Sequence, residues 1–187
     1  MRATALIFSF VLGAFAAPSA VILDLYQAGA DVVLSGGGAL ALGGQAPAGS
    51  TNLGPAIGDW FVVSGPPAAG ALVWQIAVAG PATIATGLNL NASSGAGVPF
   101  GFVFTPGAAL IGFKGYTLGD NFSTSATFQG TTLAAIGIAP GSYVWFAGPQ
   151  EESITLNVGQ GNSGVPEPAS ALLFGAGAAW VFWRRAR

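Results

Sequence analysis

Hydrophobic and polar positions along this chain alternate with a period of two; no 3.6-residue rhythm survives beyond a few residues between the two ends. In Phe100-Gly101-Phe102-Val103-Phe104 three rings fall on one face of an extended segment. In Ile154-Thr155-Leu156-Asn157-Val158 apolar and polar residues alternate cleanly. Short runs of this kind, bounded by Gly, Pro, Asn and Ser, predict strands at 21–27, 31–34, 39–42, 60–64, 71–78, 83–90, 100–105, 109–113, 122–128, 131–138, 142–146 and 153–158. The Gly-, Pro- and Ala-rich stretch from Gly43 to Gly58 reads as a connection. No fixed repeat length recurs, which argues against a solenoid or propeller. Strands in series without intervening helices predict an all-β body over residues 21–159, an antiparallel β-sandwich or jelly roll.

Both ends break this pattern. Met1-Arg2 is followed by an apolar run from Ala3 to Ala17, the order of a secretory signal peptide, and residues 1–20 are assigned to that leader. Ala14-Phe15-Ala16 fits the A-x-A rule with cleavage before Ala17; cleavage after Ala20 is the alternative, with Pro18 awkwardly third from the cut. A buried N-terminal helix competes with this reading, but no amphipathic period interrupts the run. The expected partners are a secretion translocon and a signal peptidase. Residues 160–164 form a Gly/Asn/Ser linker. Beyond it, Val165-Pro166-Glu167-Pro168 precedes the uncharged segment Ala169 to Trp183, and Arg184, Arg185 and Arg187 follow. Fifteen residues of helix reach about 22 Å, short of the ~30 Å hydrocarbon core. The flanks favour a membrane segment nonetheless: Trp180 and Trp183 sit at an interfacial position and the arginines act as a positive-inside stop.

This tripartite order resembles the PEP-CTERM sorting signal, found on exported proteins of Gram-negative bacteria that make extracellular polysaccharide. The resemblance implies an exosortase partner that reads Pro166-Glu167-Pro168 and removes the transmembrane helix at 169–183, with Arg184, Arg185 and Arg187 as the cytoplasmic stop. A plain C-terminal anchor that is never processed is the competing reading. Parts of the body resemble the same family. They are Asp31 to Gly36 with Gly38 to Leu42, the stretch Ser123 to Trp145, and Glu152 to Gly159. No activity follows from that resemblance.

Composition narrows the rest. The 187 residues include 6% charged and 52% hydrophobic side chains, with no Cys and no His. A sequence pI near 4.7 argues against nucleic acid as a partner. Thiolate metal sites, disulfides, Cys nucleophiles and His-dependent triads are impossible. Four of the five basic residues lie in the two ends, so the body carries Asp24, Asp31, Asp59, Asp120, Glu151 and Glu152 against Lys114 alone. Its surface must therefore be hydrated by hydroxyls and amides, and its strand edges lack the usual lysine guards.

Catalytic candidates are thin. Asp59, Asp120, Glu151 and Glu152 are the carboxylates available for a hydrolytic pair, but none lies in a motif and all read as solvated turn acids. Lys114 lacks the S-x-x-K spacing. The acid clusters around Asp120 and Glu151-Glu152 fall short of a calcium loop, so no metal and no cofactor is expected. Sugar rings stack on exposed aromatic faces, which makes Trp60, Trp74 and Trp145, with Tyr116 and Tyr143, a possible glycan platform. The expectation is a non-enzymatic exported protein at the cell surface or in the matrix, structural or adhesive and associated with polysaccharide. A carbohydrate-binding module is the alternative.

Overall fold

The computed structural model describes residues 19–147 and 152–159. The leader up to residue 18, Glu151, the 160–164 linker and the whole 165–187 tail, with its sorting motif and arginines, lie outside the described residues.

Strands β1 (Ala20–Ala28) and β2 (Asp31–Gly38) form a hairpin whose turn uses Gly29 at φ +65°. A short 3-10 turn at Leu42–Gly44 leads to β3 (Gly49–Leu53), β4 (Ala56–Gly58), β5 (Phe61–Ser64) and β6 (Ala68–Ile76). Next come β7 (Val78–Ala79), β8 (Asn89–Asn91), β9 (Ser94–Gly97), β10 (Phe100–Thr105), β11 (Ala108–Phe113) and β12 (Phe122–Phe128). One helical turn, α1 (Leu133–Ile136), precedes β13 (Gly141–Ala147) and β14 (Glu152–Val158).

The strands form two seven-stranded sheets, ordered β7-β13-β14-β1-β2-β12-β9 and β3-β6-β11-β10-β5-β4-β8. The all-β body expected from the alternation is present. Its pairing departs from a purely antiparallel sandwich at one place: β1 and β14 run parallel, from Ala20 opposite Ser153 to Leu25 opposite Val158. Strand β1 also begins inside the span assigned to the leader, since Ala20 already pairs with the sheet.

Period two decides what is buried. Phe100, Phe102 and Phe104 are all buried, as are Ile154, Leu156 and Val158. The inner faces of both sheets close on one apolar core. Trp145 of β13 lies across from β10, its ring 5.2 Å from Phe102 and 4.5 Å from Phe104. Phe122 of β12 meets Phe100 at 5.4 Å and Phe113 at 5.2 Å. The polar pair in this core is self-satisfied: Thr124 Oγ1 bonds Ser64 Oγ at 2.9 Å between the sheets.

The run Gly36-Gly37-Gly38 lies in the middle of the first sheet, between β1 and β12. A Cβ on Gly36 would sit 2.0 Å from the Ile22 carbonyl oxygen, and one on Gly37 would sit 2.0 Å from that of Phe122. The backbones approach too closely for any side chain, which is a physical reason for three glycines in a strand.

Four segments differ from the sequence expectation. Residues 39–42 enter the 3-10 turn instead of a strand, and most of 83–90 is irregular, with pairing only at Asn89–Asn91. The expected strand at 131–138 is α1, because Thr132 Oγ1 caps Ala135 N–H at 3.1 Å and Gly137 closes the turn at φ +73°. The 43–58 connection contains β3 and β4, whose ladders come from β6 and β5.

Two substitutions check this packing. Phe102→Ala is expected to cost about 3–5 kcal/mol in urea unfolding. Gly37→Ala is expected to cost on the order of 3 kcal/mol, while Gly49→Ala, which points into open space, changes stability by less than about 1 kcal/mol.

Candidate functional site

The two outer faces of the sandwich differ in chemistry. On the first sheet, register places Ser142, Asn157, Asp24, Ser35 and Ser125 in one row across five strands. Ser142 Oγ bonds Asn157 Oδ1 at 2.7 Å and Asn157 Nδ2 donates to Asp24 Oδ1 at 2.9 Å. This is a polar ladder of hydroxyls, an amide and a carboxylate, and the same face also exposes Ile22 and Phe146.

The outer face of the second sheet is apolar. Phe61, Val103, Leu110 and Gln75 stand in one row across β5, β10, β11 and β6. Beside it Gly101 pairs with Gly112, and the Leu53 side chain lies over both, with its Cδ2 2.8 Å from a Cβ built on Gly101. The bare glycine backbone makes the floor of a groove of about 340 Å³, walled by Ser50, Thr51, Leu53, Val73, Val103 and Leu110. None of the residues lining it carries a charge. Leu110 is 42% exposed within it.

Trp60 stands at the start of β5, 49% exposed, with its ring 5.3 Å from and nearly perpendicular to that of Phe61. Its backbone is fixed from both sides. The Trp60 carbonyl accepts from Phe104 N–H at 2.9 Å. The neighbouring Asp59 anchors the loop before β8: its carboxylate accepts from Gly87 N–H at 2.7 Å and Leu88 N–H at 2.6 Å. Asp59 is thus a turn acceptor next to an exposed indole at the entry to β5.

The other two tryptophans are not platforms. Trp74 is 4% and Trp145 1% exposed, and their indole N–H groups donate inward to the carbonyls of Gln45 at 3.0 Å and Pro81 at 2.8 Å. Strand alternation turns both rings into the core, so this expectation is corrected for Trp74 and Trp145 and kept for Trp60. Tyr116 packs against Phe113 and Phe122, and Tyr143 lies half-buried beside Trp145.

A second polar centre was not legible as such. Glu152, expected as a solvated turn acid, is 2% exposed. Its carboxylate accepts from Ala41 N–H at 2.8 Å, Leu42 N–H at 2.9 Å and the Ser19 hydroxyl. The signal was present: the alternation Ile154-Leu156-Val158, carried one step back, puts Glu152 on the core face. Next to it the Tyr116 hydroxyl accepts from Leu40 N–H at 3.0 Å and lies 2.6 Å from the Asp120 carbonyl, to which it donates. Burial is the main cause that raises the Tyr116 hydroxyl above its ordinary value of 10.0. Both carboxylates, Asp59 and Glu152, spend their oxygens on hydrogen bonds within the chain. Among the described residues no group of three or more acidic side chains is placed to hold a metal ion. No known protein family, curated protein or solved structure matches the chain.

Glu152→Gln replaces a charged acceptor facing two N–H groups and a hydroxyl, and is expected to lower unfolding free energy by about 2–3 kcal/mol. Chemical denaturation with an unchanged m-value would register it. For Tyr116 the sign is alkaline: because its proton is held more tightly when folded, the contribution is full below pH 10 and falls as pH rises beyond it. Tyr116→Phe should flatten that part of the stability–pH curve.

Proposed function

We propose that this chain is an exported, non-enzymatic protein that reaches the cell surface or matrix through its C-terminal sorting signal. In this reading residues 169–183 hold it in the membrane until an exosortase cuts near Val165, Pro166, Glu167 and Pro168. The body then serves a structural or adhesive role in extracellular polysaccharide. The observation that carries the reading is the order of motif, apolar segment and arginines in the tail. The composition of residues 160–164, Gly, Asn and Ser between the body and the motif, is in keeping with it, because a processing enzyme needs an accessible segment.

Intact-mass measurement on protein from the native host is expected to place the mature C-terminus near Pro166 to Pro168. A chain still ending at Arg187 would overturn the processing step.

One observation favours a second reading, a carbohydrate-binding module for neutral polysaccharide. Trp60 is half-exposed beside Phe61, and the same sheet offers the Gln75 amide and the hydroxyls of Ser50, Thr51 and Thr105 along uncharged hollows on its outer face. On this reading, affinity electrophoresis in neutral glucans and galactans shows retardation of the mature chain, and Trp60→Ala weakens it at least about tenfold. That substitution leaves stability within about 1 kcal/mol, since half of the ring is already in water. Migration unaffected by every glycan, or by loss of the indole, would remove this reading.

A further inference from the structure

The first residues of the described body decide between the two places where a leader could end. Ser19 is bound into the fold three ways. Its hydroxyl donates to the buried Glu152 carboxylate, its carbonyl accepts from Ser153 N–H at 3.3 Å, and it leads directly into β1. Ala20 is the first rung of the parallel β1–β14 ladder, opposite Ser153, and its carbonyl accepts from Ala39 N–H at 3.1 Å. Val21 is completely buried, with Ile154 on one side and Gly38 on the other.

A cut after Ala20 would therefore do three things at once. It would remove a donor from a carboxylate that is almost out of water. It would leave the Ser153 and Ala39 N–H groups without the carbonyls they now use. It would also place a new ammonium group on Val21, at a fully buried position in the middle of a sheet. An ammonium group without a partner is far more costly to bury than an amide. A cut before Ala17 does none of these, because it leaves Ser19 and Ala20 on the body.

We infer that the leader is removed upstream of Ser19, and that Ser19 and Ala20 belong to the mature body as the residues that close Glu152 and start the β1–β14 ladder. This rests on the export reading above and sharpens it. The leader ends no later than Pro18, and Ala14-Phe15-Ala16 is the cleavage signal consistent with that limit.

N-terminal sequencing of the exported protein, paired with its intact mass, tests the assignment. A first residue at Ala17, or anywhere after Met1 up to Ser19, is the expected result. A first residue at Ala20 or beyond overturns the inference while leaving a cleaved leader in place. Exported protein that still begins at Met1 overturns the leader reading itself, and the inference falls with it. A thermal measurement is independent of the processing enzyme. The chain beginning at Val21 should melt about 5–10 °C below the chain beginning at Ala17, or show no cooperative transition. Equal melting temperatures would show that Ser19 and Ala20 are dispensable and would overturn the inference.

Discussion

The first sheet is held together by its last strand. β14 pairs with β1 on one side and β13 on the other, and β13 carries β7. Without β14, the β7–β13 ribbon has no ladder to the rest of the sheet. Trp145 would then lose the frame that presses it onto Phe102 and Phe104. The core between the sheets thus depends on a pairing between the first and last strands of the body. Such long-range pairing forms late, because the loop it closes spans nearly the whole domain. The body cannot complete its core until the residues just before the linker are available.

The same strand opens with the buried carboxylate that fixes how the chain leaves the first sheet for the second. Leu42 sits at φ +50°, a region unfavourable for a residue with a Cβ. Its N–H points at Glu152 Oε2 and its side chain is buried, so packing and a charged hydrogen bond together hold the unfavourable backbone. From this turn the chain passes Gln45, whose carbonyl takes the Trp74 indole N–H, and reaches β3. One acidic side chain therefore ties together the N-terminal entry, the crossover and the closing strand.

What the sequence made legible follows from which forces act locally. The Phe100-Phe102-Phe104 face and the Ile154-Leu156-Val158 face were readable because burial in a sheet depends on parity alone. The pattern at 131–138 predicts a strand although Thr132 and Gly137 are ordinary caps, since the apolar residues of α1 hide a one-turn helix. β3 was read as a loop because Gly49-Ser50-Thr51-Asn52 has little strand preference and is extended only by its ladder to β6. The candidate platform was one-third legible. Trp60, Trp74 and Trp145 look alike in sequence; Trp74 and Trp145 lie within β6 and β13 with their rings on the core side, whereas Trp60, on the same parity as buried Val62 and Ser64, precedes β5 and escapes burial. The groove over β10 and β11 was not legible at all, because it arises where Gly101 meets Gly112 across two strands.

The scarcity of charge has a structural division of labour behind it. Asp24 joins the polar ladder, Asp31 accepts from Gly130 N–H at 2.9 Å, Asp59 holds the loop before β8, and Glu152 closes the crossover. Among the described residues, four of the five body carboxylates thus act as hydrogen-bond acceptors within the fold, and Lys114 directs its Nζ toward the Gly70 carbonyl at 3.3 Å. Hydration of the first sheet falls to serine, threonine and asparagine, and the second sheet leaves an apolar face. The carboxylates keep their charge while accepting their hydrogen bonds, so the body, with six acids against Lys114, is net negative and repels anionic partners at range. What it touches must be selected at contact range, by shape, stacking and neutral hydrogen bonds. Those are the terms on which an uncharged polymer surface can be recognised, and they vary little with salt.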